Sequence, residues 1–131
     1  MNEIYEFLKS CGTYYLATLE DGRPRVRPFG TIDLYEGGLY IQTGKVKSVS
    51  RQMKADPRIE ICGMHKGKWI RLQAEAVLDQ RLEAQQHMLE NYPSLQKMYQ
   101  PGDGNTEVFR LNNVKAQICS FTEEPRTIEI R

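Results

Sequence analysis

Apolar and polar residues alternate through most of this chain, and Gly, Pro, Asp and Asn break the alternation at short intervals. A period of two puts successive side chains on opposite faces of an extended strand. Residues 13–19, 25–34, 39–43, 59–64, 69–78, 108–111 and 114–121 therefore read as strands. The run at 69–78 is the longest and cleanest. Trp69, Arg71, Gln73 and Glu75 fall on one face, and Ile70, Leu72, Ala74 and Ala76 on the other. Asp21-Gly22 is a hairpin signal, and turns are expected at 35–38 and 65–68. Pro28 interrupts the second strand. It removes a ladder donor, so it marks an edge, a bulge or a bend.

Helical spacing appears three times. Ile4, Phe7, Leu8 and Cys11 form a short stripe that Gly12 stops, and this helix is expected to close one end of the fold. A second helix over 47–55 turns Val46, Val49, Ser50 and Met53 inward and ends at Asp56-Pro57. A third over 81–92 carries Leu82, Gln85, Met88, Leu89 and Tyr92, and Pro93 stops it. Residues 95–99 read as one further helical turn, 101–105 as a loop, and 125–131 as a tail or short strand. Many short antiparallel strands with few helices give a mainly β fold, a barrel. The length of 131 residues makes it one domain, 1–131.

Charge changes the picture at one place. Between Asp21 and Lys54 lie Arg23, Arg25, Arg27, Lys45, Lys47, Arg51 and Lys54 against Asp21, Asp33 and Glu36. That stretch is +4 in a chain of net charge +1, so the rest is −3. The near-neutral whole argues against general binding to nucleic acid or an anionic membrane. No apolar run has the length of a membrane span, and the N-terminus is too polar for a signal peptide. Cys11, Cys62 and Cys119 are far apart and lack metal-ligand spacing, so they read as free thiols of a cytoplasmic protein, with no metal site. Arg25 and Arg27 alternate with Val26 and share a face, where their planar forks suit phosphate oxygens. Lys45, Lys47 and Ser48 stand at a helix start, which offers unpaired N–H groups and a favourable dipole. On spacing alone the bland reading, a solvated basic face with surface ion pairs, is the stronger. His65 and His87 have no nucleophile or acid partner nearby in sequence, so no catalytic residue is assigned.

Three stretches, GTYYLATLEDGRPRVRPFGTID, YIQTGKVKSVSRQMKADPRIEIC and MHKGKWIRLQAEAVL, resemble the pyridoxamine 5′-phosphate oxidase-like family, the FMN-binding split barrels. The nearer likeness is to its Nim-type members, named after nitroimidazole resistance. The resemblance spans nearly the whole chain. It implies an antiparallel Greek-key split β-barrel, a homodimer with FMN between subunits, and an oxidoreductase passing electrons from a reduced donor to a small acceptor, nitro compounds included. A flavin-binding protein without turnover, or a split barrel holding haem or a deazaflavin, are the alternatives it leaves. Residue by residue, Arg25 matches the family's second-strand arginine. Val26, Arg27, Pro28, Phe29 and Gly30 match the segment beside the flavin ring. Gln42 and Thr43 match the third-strand end. Lys47 and Ser48 match the phosphate-binding helix start. Ser48 and Val49 fall where the larger oxidases carry Arg-Lys, and Lys45 with Lys47 compensates for that departure. Trp69 matches a position reaching the flavin across the dimer, and it reads equally as a core or interface aromatic. Where the true oxidase has an Arg-rich substrate motif the tail has Arg126 in PRTIEIR, a departure that argues against oxidation of pyridoxamine phosphate.

Overall fold

The computed structural model describes residues 1–130, and all strand pairings in it are antiparallel. Eight strands, β1 Tyr14–Glu20, β2 Arg23–Phe29, β3 Asp33–Tyr35, β4 Gly38–Gly44, β5 Arg58–His65, β6 Lys68–Asp79, β7 Thr106–Ser120 and β8 Arg126–Ile130, form one sheet. Its main path runs β2-β1-β5-β6-β7-β4-β3, with β8 added to β7. The strands at the two ends of this path, β2 and β3, are consecutive in sequence. The chain therefore crosses from one sheet edge to the other at residues 30–32, and the sheet curls into a barrel that stays open there.

Inward residues of β1, β4, β5, β6 and β7 share one core, including Tyr14, Leu16, Ile41, Ile61, Ile70, Leu72, Phe109 and Ala116. The alternation read from the sequence is the reason: β5 and β6 bury every second residue. Helix α1 (Asn2–Cys11) buries Ile4 and Leu8 in this core, packs on β5 and β3, and stops at Gly12, whose φ of 72° suits glycine. Helix α2 (Ser48–Ala55) packs against β1, β4 and β6, with Val49 and Met53 in the core. Helix α3 (Leu82–Asn91) covers a second cluster of Tyr40, Ala84, Met88 and Val108. A 3₁₀ turn, Pro93–Lys97, follows it.

Several boundaries differ from the sequence expectation, each for a tertiary reason. The expected strand over 25–34 is two strands. After Phe29 the chain leaves β1, and Tyr92 Oη binds both the N–H (2.9 Å) and the C=O (3.0 Å) of Ile32. Pro28 lies in β2, which pairs only with β1, so it occupies an edge strand as its missing N–H requires. The two last expected strands are one, β7, which keeps pairing with β6 through a register shift at Gln73/Glu75. Asn113 takes a φ of 52° there, a conformation asparagine tolerates. The tail forms β8 on the second half of β7. Two residues assigned to helix interiors point outward instead. Val46 is 86% exposed in the turn before α2, and Leu82 is 57% exposed at the start of α3.

Candidate functional site

The open edge of the barrel contains a cleft of about 230 Å³. Arg27, Pro28, Phe29, Gly30 and Thr31 form one wall, and Gln42 and Thr43 of β4 form another. Lys47 and Val49 at the start of α2 close the floor, and Leu95, Met98 and Tyr99 beyond α3 cover it. Since β2 is an edge strand, one row of its backbone groups lacks a sheet partner beside this cleft.

Local chemistry builds the cationic end. Lys47 caps α2 in an extended conformation (φ −82°, ψ 147°), with no side-chain cap and no acidic residue in the first turn. Ser50 N–H already donates to Lys47 O (3.1 Å), so the open amides are those of Ser48 and Val49, and the positive end of the dipole is uncompensated by any carboxylate in the first turn. The preceding turn is fixed: Lys45 N–H donates to Asn105 O (2.7 Å), Val46 N–H to Asn105 Oδ1 (3.2 Å) and Lys47 N–H to Gly44 O (3.0 Å). Arg27 supplies a second cation. Burial pulls its pKa below the usual guanidinium range, and Glu20 opposes that pull. Its Nη1 donates to Leu16 O (3.1 Å) and Thr18 Oγ1 (2.8 Å), and its Nη2 to Gln52 Oε1 (2.5 Å). Thr31 ties the crossing segment to β4. Its Oγ1 accepts from Gln42 N–H (3.0 Å), and Thr31 O accepts from Tyr14 Oη (2.5 Å).

Of the residues singled out from the sequence, Arg27, Pro28, Phe29, Gly30, Gln42, Thr43 and Lys47 come together in the cleft. Five lie elsewhere in the protomer. Arg25 has Nε 3.8 Å from Glu20, and Val26 is 69% exposed on the opposite face of β2. Lys45 is exposed in the turn, and Ser48 is the first residue of α2 beside the cleft. Trp69 is the second residue of β6 and packs on Phe121, ring centroids 5.0 Å apart. Thr31, Val49, Leu95, Met98 and Tyr99 were not singled out. Tyr99 is 56 residues beyond Thr43, just past the 3₁₀ turn that follows α3, so only the fold brings it to the cleft. Neither His65 nor His87 lines it. Among the described residues no group of three His, Cys, Asp or Glu is placed to hold a metal, and no helix is long and apolar enough to cross a membrane. The thiols of Cys11, Cys62 and Cys119 are free.

A curled antiparallel sheet, open along one edge with a cationic cleft in the opening, defines a split β-barrel. The family model described as pyridoxamine 5′-phosphate oxidase matches residues 1–119, and the chain belongs to that family. A solved NimC/NimA family protein from Clostridium acetobutylicum is 44% identical, with a TM-score of 0.96 over 99% of this chain and 92% of that one. Two more distant structures share the fold. One is a pyridoxamine 5′-phosphate oxidase-related, FMN-binding protein from Nostoc punctiforme (14% identity, TM-score 0.61, 99% of this chain and 94% of that one). The other is HutZ, the heme storage protein from Vibrio cholerae (20% identity, TM-score 0.64, 85% and 87%). Comparison with curated proteins gave no match.

Proposed function

We propose that this chain is an FMN-binding flavoprotein that works as an oxidoreductase, taking electrons from a reduced donor and passing them to a small-molecule acceptor. The observation that carries the reading is the convergence of Arg27, Lys47 and the uncapped start of α2 on one cleft beside a free strand edge. This donor set fits the cofactor chemically. A phosphate suits the open amides and the Lys47 ammonium. A flat heteroaromatic ring suits the outward row of edge strand β2 and the apolar cover of Leu95 and Met98. Bound FMN would supply the redox chemistry itself. This chain's residues would bind and orient it, and Tyr99 with its neighbours would limit water. The Nim-type resemblance makes nitro compounds one acceptor class to try.

We further infer a homodimer whose second subunit completes the cleft. The outer sheet face supports it: Tyr15 is 53%, Val26 69% and Met64 59% exposed on neighbouring strands. Burying such a patch in an isologous contact is favourable.

The test is an absorbance and fluorescence titration with FMN, riboflavin, haem and a deazaflavin. FMN is expected to bind with quenched fluorescence and to be reduced by a nicotinamide or another donor. Lys47→Ala should weaken FMN about tenfold, the scale of one charge-assisted hydrogen bond, and riboflavin far less. Arg25→Ala, outside the cleft, should change FMN affinity less than Lys47→Ala. Binding of FMN with no reduction by any donor would identify a flavin carrier. Binding of haem or the deazaflavin in place of FMN would replace the cofactor assignment.

A further inference from the structure

Arg27 is held in an orientation that leaves one edge of its guanidinium free, and the residue that holds it is on α2. In the β1–β2 ladder Arg27 stands opposite Leu16, a core residue, so its side chain starts on the inner face. A guanidinium carries five N–H groups. Both on Nη1 are taken, by Leu16 O and Thr18 Oγ1, and one on Nη2 goes to Gln52 Oε1. Thr18 Oγ1 itself donates to Gln52 Oε1 at 2.5 Å. These two acceptors therefore sit side by side against the Nη1–Nη2 edge. What remains is Nε–H and the outer Nη2–H, which point the same way. They form the two-pronged edge that matches two oxygens of one anion. Arg27 lines the cleft, and no described side chain accepts from that edge.

Gln52 is 4% exposed, and its amide stands between unlike neighbours. Its oxygen takes donors from Thr18 and Arg27, while its Nε2 donates to Glu20 Oε2 at 2.9 Å. Turning the amide over would set NH₂ against the guanidinium and oxygen against a carboxylate. Glu20 is kept in place by Arg51 (2.7 Å), with Arg25 at 3.8 Å. The polarity of the chain Glu20–Gln52–Arg27 is thus fixed from the surface inward. Neither a carboxylate nor an apolar residue at position 52 satisfies both neighbours.

We propose that Gln52 is a positioning residue, which through its one permitted amide orientation aims the Nε–Nη2 edge of Arg27 into the cleft as a receptor for an oxyanion. The oxyanion is a phosphate monoester or the carboxylate of a small acceptor. This rests on the cleft being the ligand site argued above, and its first test uses no flavin.

Protein labelled with ¹⁵N at arginine is titrated with inorganic phosphate, and the Arg27 Nε–H resonance is followed. In the wild type it should shift saturably. Gln52→Leu should weaken phosphate about tenfold, as for one lost charge-assisted contact. Gln52→Glu should be as weak at pH 8 and recover at pH 5. A neutral carboxyl there donates O–H to Glu20 and accepts from Arg27, as the amide does, whereas an ionised one faces the Glu20 carboxylate and neutralises Arg27. The other charged groups beside Glu20 are Arg25 and Arg51, and each variant is compared with the wild type at the same pH, because phosphate itself gains a proton between pH 8 and pH 5. Glu20→Gln, a surface change, should weaken phosphate several-fold by freeing the amide to turn, and it serves if Gln52→Leu does not fold. An unmoved Arg27 Nε–H in the wild type, or wild-type affinity in Gln52→Glu and Glu20→Gln at pH 8, overturns the proposal. The same proteins are then titrated with FMN and riboflavin, and the FMN-loaded ones with 4-nitrobenzoate. Losses for FMN alone assign the edge to the cofactor phosphate, and losses for 4-nitrobenzoate alone assign it to the acceptor. A protein that binds phosphate at Arg27 and no FMN keeps this proposal and sinks the flavin reading.

Discussion

Asp79 shows how much one carboxylate can carry in this fold. Its side chain accepts from Arg81 Nε and Nη2 and from Tyr40 Oη at 2.8 Å, and it is only 14% exposed. The Arg81 guanidinium, first of these causes, holds its pKa down to about 2, against the resistance of its partial burial. The unfolded chain titrates near the ordinary value of about 4, so the unfolded state binds more protons between these values. The stabilisation is complete above about pH 4 and is lost as the pH falls toward 2. Asp79→Asn should therefore cost about 1–2 kcal/mol at neutral pH. It should also flatten the acid limb of the stability profile, measured by urea unfolding at a series of pH values. Unchanged acid sensitivity in the variant would reject this account. Arg81 reaches Glu36 as well, at 2.6 Å, so one arginine pins the ends of β6 and α3 to the β3–β4 turn.

Two contacts decide how the elements sit on one another. Gly63 of β5 faces α1, and a Cβ added there would lie 3.0 Å from Cys11 Sγ and 3.2 Å from Tyr14 Cβ. Such crowding in a packed core typically costs about 1–3 kcal/mol. Gly63→Ala should lower the melting temperature and loosen α1, seen as faster amide exchange at Ile4 and Leu8. The other contact joins the cover of the cleft to its wall. Tyr92 ends α3, and its hydroxyl bridges both backbone groups of Ile32, the neighbour of cleft residue Thr31. Tyr92→Phe leaves that N–H unpaired, a loss of about 1–3 kcal/mol for a buried polar group. Exchange should rise at Ile32, and affinity for the proposed FMN should fall, while the rest of the sheet keeps its protection. Buried Asp33 adds to the same junction, with His87 Nδ1 at 2.7 Å and Asn91 Nδ2 at 3.1 Å.

For the molecule as a whole, the proposed dimer makes a quantitative expectation. Sedimentation should give twice the 15.2 kDa chain mass. A charge on the outer face, Val26→Asp, should shift the protein toward monomer and weaken FMN with it, if the second subunit completes the cleft. Monomers that bind FMN as tightly as the wild type would remove the shared site. Within the protomer, the basic stretch of the sequence divides in two. Arg27 and Lys47 face the cleft, while Arg25 and Arg51 gather on Glu20. One run of like charges thus serves both as a candidate anion site and as ordinary surface pairing. Position along one face of β2 separates Arg25 from Arg27, and the turn of α2 separates Arg51 from Lys47.

The sequence by itself determined the mainly β character, since period-two burial in β5 and β6 is a local consequence of where apolar residues fall. It determined the Gly12 and Pro57 ends of α1 and α2, because φ limits act on single residues. The helix-start chemistry at Lys47 was legible for the same reason. Only the tertiary structure decided that the run at 25–34 breaks after Phe29, because the break is enforced by Tyr92, about sixty residues away. Only it joined 106–120 into one strand, since continuity there comes from pairing with β6 across the bulge at Asn113. Leu95, Met98 and Tyr99 reach the cleft, and Gln52 reaches Arg27, through long-range packing that leaves no periodic trace in the chain. Local pattern fixes which way a side chain faces within its own element. Which other element it then meets is set by sheet order and crossing, and these are properties of the folded whole.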